Sequence, residues 1–215
     1  MGIAKWIAGG VGIAAIGAAT VYAQSRNTEE PDFTVVKEEQ AFQLRDYPTI
    51  IVAEVTHSGS RREASRASFR RLAAYIFAQD RPEGGEEIAM TTPVIQDRVK
   101  RDEKIAMTAP VVQEETSKDR WRMRFVMPAK YTLETLPPAP SDISLTEVEA
   151  RRVATVRFNG YARPSETALM EKELGKWIAE QDLTPIGDFE YASYDAPMVP
   201  GSLRRNEVMI EVATD

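Results

Sequence analysis

The sequence predicts an α+β domain built by internal duplication, and three observations carry that reading. Val52-Ala53-Glu54-Val55 returns as Val153-Ala154-Thr155-Val156, and Gly59 returns as Gly160, all at an offset of 101. Each match is followed by a helical stretch ending in Gln79-Asp80 or Gln181-Asp182, an offset of 102, so one residue is inserted between. Period-two segments that read as strands surround both helices. Each half therefore reads strand, strand, glycine turn, helix and further strand.

Ahead of the duplication stands an uncharged run from Trp6 to Ala23, preceded by Lys5 and followed by Gln24, Ser25 and Arg26. Val21 and Ala23 satisfy the small-residue rule for cleavage after Ala23. The 18 residues are also long enough, at ~1.5 Å each, to remain as a single helical anchor of about 27 Å. Residues 1–23 are expected to be a signal peptide or membrane anchor, and 24–31 a linker. With Lys5 inside, either outcome puts residues 32–215 in the cell envelope, anchored in the inner membrane facing the periplasm or secreted to the periplasm.

The first helix is expected over about Arg61 to Gln79. Phe69, Leu72, Ala73 and Ile76 form its apolar stripe, with Arg62, Arg66 and Arg70 to one side. The second is expected over about Ser165 to Gln181, with Pro164 in its first turn and Met170, Leu174, Trp177 and Ile178 as its stripe. Strands are expected at Thr49–Thr56, Arg120–Met127, Ile143–Val148, Val153–Phe158, Phe189–Tyr194 and Glu207–Val212. In Arg120–Met127 the alternation is strict. Trp121, Met123, Phe125 and Met127 share one face, and Arg120, Arg122 and Arg124 share the other, read as a solvated face paired with acids. Repeat one covers about 32–127 and repeat two about 142–212. The linker Leu136–Asp142, with proline at three of seven positions, is expected to be a stiff crossing, and 195–206 a functional loop.

Ile88-Ala89-Met90-Thr91-Thr92-Pro93-Val94 recurs 17 residues later as Ile105-Ala106-Met107-Thr108-Ala109-Pro110-Val111. All but one of the residues from Asp97 to Lys104 are charged, which reads as a hairpin with an exposed tip. Met90 and Met107 would project equivalently from its strands. They would serve as gap fillers, as the wall of a flat apolar ligand site, or as axial iron ligands.

Composition excludes several function classes. There is no cysteine, so disulfides, thiolate nucleophiles, Cys-ligated zinc, iron–sulfur clusters and covalent haem attachment are out. One histidine, His57, excludes a multi-His metal site. A net charge of −6 disfavours nucleic acid as a partner.

The doubled I-A-M-T-x-P-V, then Pro137-Pro138-Ala139-Pro140-Ser141-Asp142, Tyr194-Asp195-Ala196-Pro197-Met198-Val199-Pro200 and Arg204-Arg205-Asn206-Glu207-Val208 resemble the SOUL haem-binding protein family. The resemblance runs from about Asp32 to Val212. It implies a distorted β-barrel of two pseudo-twofold repeats flanked by two long helices, similar to gyrase-inhibitor-like effector domains. It also implies non-covalent, reversible binding of haem or another porphyrin, as a carrier or buffer and not as an enzyme. The implied groove lies between the first helix and the loop before the last strand, with a basic helix residue and a loop lysine on the propionates. Arg66 matches the helix position, whereas Val199 stands where the loop lysine falls, leaving Arg204 or Arg205 as replacements. Phe69, Ala73 and Met198 would line the wall. His57, as the sole imidazole, is a weak candidate for the iron. A membrane is a further partner if residues 6–23 stay uncleaved. Two other functions compete: a small-molecule hydrolase of the gyrase-inhibitor-like type, using Glu207 and Tyr191, and a membrane-tethered protein-interaction module without ligand.

Overall fold

A computed structural model describes residues 28–99, 119–196 and 198–214. The expected signal or anchor segment, Met107 with its copy of the repeated motif, and Pro197 lie outside the described residues. In chain order the elements are β1 (Thr34–Glu39), β2 (Phe42–Tyr47), β3 (Ile50–Ser58), α1 (Arg61–Ile76), β4 (Val94–Val99), β5 (Arg120–Val126), β6 (Ser144–Val148), β7 (Arg151–Asn159), α2 (Pro164–Glu180), β8 (Pro185–Ser193) and β9 (Arg205–Val212). A 3-10 turn, Gly201–Leu203, sits in the loop between β8 and β9.

The two helices start as their sequences dictate. Gly59 and Gly160 take positive φ angles of 122° and 135°, which only glycine adopts without strain. In repeat one Ser60 follows at once as N-cap, its hydroxyl accepting from the Glu63 N–H while the Glu63 carboxylate accepts from the Ser60 N–H. In repeat two Tyr161 and Ala162 intervene before Arg163, whose N–H donates to Glu166 at 3.0 Å. The turn is thus where the second repeat gains chain. α1 stops at Ile76, three residues short of Gln79, because the chain turns at Phe77–Ala78 with Ala78 at a φ of 53°.

The nine strands among the described residues form one antiparallel sheet in the order β1-β2-β7-β9-β8-β4-β5-β3-β6. Without the edge strand β1, that order is symmetric about the β8–β4 pair. Gln96 of β4 lies opposite Tyr191 of β8 at this axis. The repeats also exchange their first strands. β2 pairs with β7 of the second repeat, and β6 pairs with β3 of the first. Yet β2 and β3 are joined only by Pro48-Thr49, and β6 and β7 only by Glu149-Ala150. Three Cα steps of ~3.8 Å cannot span the six strand spacings, ~4.8 Å each, that would separate either pair in a flat sheet, so the sheet curls until its flanks meet. This is the distorted barrel, with both helices on its outer face.

Each helix seals its own core. Beneath α1, Leu72, Tyr75 and Ile76 meet Ala53, Val55, Met123 and Phe125. Beneath α2, Leu174, Trp177 and Ile178 meet Leu44, Ala154, Val156, Val208 and Ile210. The linker is part of the first core: Leu136 is buried, and the Tyr75 hydroxyl donates to the Pro137 carbonyl at 2.7 Å.

Three expectations are corrected here. The arginine face of β5 is not solvated: it points into the curled sheet, where Arg122 and Arg124 are paired with buried Asp97. Asp97 therefore belongs to β4 and not to an exposed tip. Ile88–Pro93 is not a strand. The Ile88 N–H donates to the Ile76 carbonyl, the Thr91 hydroxyl to the Val126 carbonyl, and the Thr92 N–H to the Glu29 carbonyl, so this segment is stitched to three separate elements. Met90 packs partly buried against the first core.

Candidate functional site

Arg62, Arg66, Phe69 and Ala73 lie within about 60° of one another around α1, at ~100° per residue. Two contacts fix where that flank looks. Ser65 Oγ donates to Gln96 Oε1 at 2.9 Å, and the Phe69 ring meets the Phe125 ring edge-on at 5.4 Å. The stripe therefore overlooks the central strands β4 and β5. Phe69 and Ala73 are half-buried, while Arg66 is exposed with no ion-pair partner among the described residues.

The β8–β9 loop presents Met198, 72 % exposed, but Val199 is only 1 % exposed and belongs to the loop's own packing. Neither replacement cation is idle. Arg205 is paired with Glu30 at 2.5 Å and lies 3.5 Å from the Tyr194 ring centroid. Arg204 Nε donates to the Val199 carbonyl at 2.8 Å, and its guanidinium stands 5.0 Å from the Tyr161 ring centroid. Tyr161 also closes on Gly201, where an added Cβ would come within 2.3 Å of its ring. No hydrogen bond or ring contact joins the helix stripe to Met198 or Val199 among the described residues.

His57 lies within β3, on the far side of α1 from the stripe. Its Nδ1 is 2.9 Å from Ser68 Oγ. Burial pushes the imidazole pKa down, against a smaller opposing pull from Asp142. The ring is thus a neutral packing group under the helix, and no metal-holding cluster of His, Cys, Asp or Glu occurs among the described residues.

The interior of the curled sheet is densely charged and internally paired. Arg45 Nη1 and Nη2 donate to the Glu207 carboxylate at 2.7 and 3.0 Å, and the Tyr194 hydroxyl donates to it at 2.7 Å. Arg124 donates to Asp97 and Glu190 at 2.8 and 3.1 Å, and Arg151 grips Glu190 through two bonds of 2.7 and 2.8 Å. Burial alone would raise the Glu190 pKa, but Arg124 and Arg151 outweigh it and bring it down to about 2. A shallow, solvent-open recess adjoins this network between Pro31, Tyr47, Ile95, Val148 and Arg151. None of the residues nominated for a haem groove lines it. Glu207 and Tyr191, the pair considered for hydrolysis, face opposite sides of the sheet and do not converge.

Tyr191 instead anchors a cluster at the pseudo-twofold axis, between the helices. Its hydroxyl donates to Glu171 of α2 at 2.6 Å; burial and Glu171 push its pKa up to about 12, so it stays a phenol at neutral pH. Arg61 of α1 lies 3.7 Å from the Tyr191 ring centroid and 5.8 Å from that of Trp121. Its Nε donates to Gln96 Oε1 at 3.2 Å and its Nη1 to Thr167 Oγ1 at 3.5 Å. Sequence reasoning passed over Arg61 and Gln96, since neither belongs to an apolar stripe or a repeated motif. The one available signal was that Arg61 directly follows the capping Ser60 and so begins the helix.

Two exchanged repeats, one curled antiparallel sheet and a helix on each half define the α+β architecture of gyrase-inhibitor-like domains. Among solved structures, the EcmrR C-terminal domain aligns with a TM-score of 0.55 at 11% identity, over 81% of this chain and 98% of that one. A hydrolase from Listeria innocua aligns at 0.53 and 11% identity, over 83% of this chain and 94% of that one. At such identity the likeness is one of fold alone. The family model described as SOUL heme-binding protein matches residues 28–211, and the chain belongs to that family. The mouse protein Heme-binding protein 1 is 38% identical over 77 residues, which are 34% of this chain and 40% of that relative's length.

Proposed function

We propose that this protein binds haem or a related tetrapyrrole non-covalently and reversibly, as a carrier or buffer in the cell envelope and not as a catalyst. The observation that carries the reading is the flank of α1. Half-buried Phe69 and Ala73 stand beside Arg66, an exposed guanidinium with no ion-pair partner among the described residues. A porphyrin is a flat apolar plate bearing carboxylates on one edge, and a guanidinium receives a carboxylate through two parallel donors. Met198, an exposed apolar residue of the β8–β9 loop, would supply apolar surface for the open side in this reading. Family membership and the similarity to Heme-binding protein 1 support haem as the ligand class.

His57 does not fit as an axial ligand for a plate on this flank, because α1 stands between them and the ring packs against Ser68. Binding therefore rests on apolar burial and propionate contacts, and protoporphyrin without iron should bind about as well as haemin. The envelope location rests on the uncharged run Trp6–Ala23 behind Lys5. Fractionation of the producing cells, with sequencing of the mature amino terminus, tests that part.

The test of function is titration of the full chain with haemin and with protoporphyrin, read at the Soret band. Arg66→Glu should weaken both by at least about tenfold, the worth of a charge-assisted bond pair. Haemin binding no tighter than to an unrelated acidic protein, or insensitivity to Arg66→Glu, would overturn the proposal.

A further inference from the structure

The axis cluster between the helices has more donors than acceptors. Arg61 has no carboxylate within ion-pair distance among the described residues. Burial pushes its pKa down, with only partial compensation from Tyr191 and Glu171. Gln96 is 5 % exposed, and its Oε1 accepts from both Arg61 and Ser65, which turns the amide so that Nε2 has no partner. Trp121, 7 % exposed, likewise has an unpartnered Nε1. Two buried donors without acceptors, beside a half-buried guanidinium without an ion-pair partner among the described residues, depart from the general rule that buried polar groups are satisfied. The three side chains are neighbours because β5 carries Trp121 diagonally across from Gln96 of β4 on the same face, while Arg61 of α1 lies against the rings of Trp121 and Tyr191.

We propose that this cluster binds a small aromatic carboxylate, whose two oxygens take the free donors of Arg61, Gln96 and Trp121. Each part of that chemistry has a source in the site. The face of the Arg61 guanidinium is covered by Tyr191. What it presents is its edge, which matches a planar carboxylate through parallel N–H bonds. Glu171, bonded to the Tyr191 hydroxyl, adds a negative charge nearby and disfavours a dianion such as phosphate. The rings of Trp121 and Tyr191, with centroids 6.4 Å apart, provide an aromatic wall for the ligand's own ring. The inference stands apart from the haem reading. Haemin is read at the Soret band and through Arg66, and the carboxylate through Trp121 and Arg61, so either can fail alone.

The test uses the full chain, ¹⁵N-labelled in detergent micelles and titrated with benzoate, with benzylamine as the cationic control. The Trp121 indole N–H signal is assigned by its loss in Trp121→Phe. Benzoate should shift that signal saturably, benzylamine should leave it in place, and Arg61→Gln should weaken the benzoate response by about tenfold or more. Arg61→Lys, which keeps the charge but loses the fork, should fall between. A wild-type indole signal that does not respond saturably to benzoate overturns the inference without any variant. So does an equal response in Arg61→Gln or to benzylamine.

Discussion

Arg45 is buried and Arg61 half-buried, on opposite faces of the same sheet, and they live under opposite rules. Arg45, 4 % exposed, faces the interior of the curl and is clamped by Glu207, itself 3 % exposed. Burial alone would lower the Arg45 pKa, but the hydrogen bonds and charge of Glu207 outweigh it, and the net shift is upward. Arg61 sits under the helices with aromatic rings and an amide for company, and its pKa moves down. The interior charges are held in ion pairs that join the two repeats, although Arg124 Nε has no partner there. The axis charge is left incomplete, which is the mark of a group held for something that arrives from outside.

That contrast can be broken by removing charges from each face. Glu207→Leu strands Arg45 and the Tyr194 hydroxyl in the interior, and should cost about 3–5 kcal/mol in denaturant unfolding. Nearly the same should follow from acid. The Glu190 pKa is depressed to about 2, so its contribution is present above the unfolded carboxylate range and is lost as pH falls through about 2. Stability should therefore drop between about pH 4.5 and 2 by on the order of 3 kcal/mol, and Glu190→Gln should flatten that slope. Tyr194→Phe removes one hydrogen bond to a buried carboxylate and should cost about 2 kcal/mol in the same assay. Arg61→Met should change stability by no more than about 1 kcal/mol, because no ion pair is lost and a half-buried, only partly compensated charge is relieved. If Arg61→Met proves as costly as Glu207→Leu, the two guanidiniums are alike and the contrast fails.

Legibility in the sequence followed burial pattern. The apolar stripes located α1 and α2 within three residues, since a one-sided helix announces itself in its spacing. The strands β1, β2 and β4 were not individually expected. β1 is an exposed edge with no buried face, while β2 and β4 carry Arg45, Gln96 and Asp97 at buried positions. Arg66, Phe69 and Ala73 did fall on one flank of a helix, as their spacing required. The loop residues assigned to the same groove could not be placed from spacing, because Val199 turned inward and Arg205 turned to Glu30.

The amino-acid order alone determined that there are two copies of one unit, with a helix after each glycine turn, because local periodicity and repetition need no partner to be read. Which charges are structural was decided only in three dimensions. Arg45 meets Glu207 across 162 positions of chain and Arg124 meets Glu190 across 66. The sheet had to curl and the first strands had to change places before those partners met.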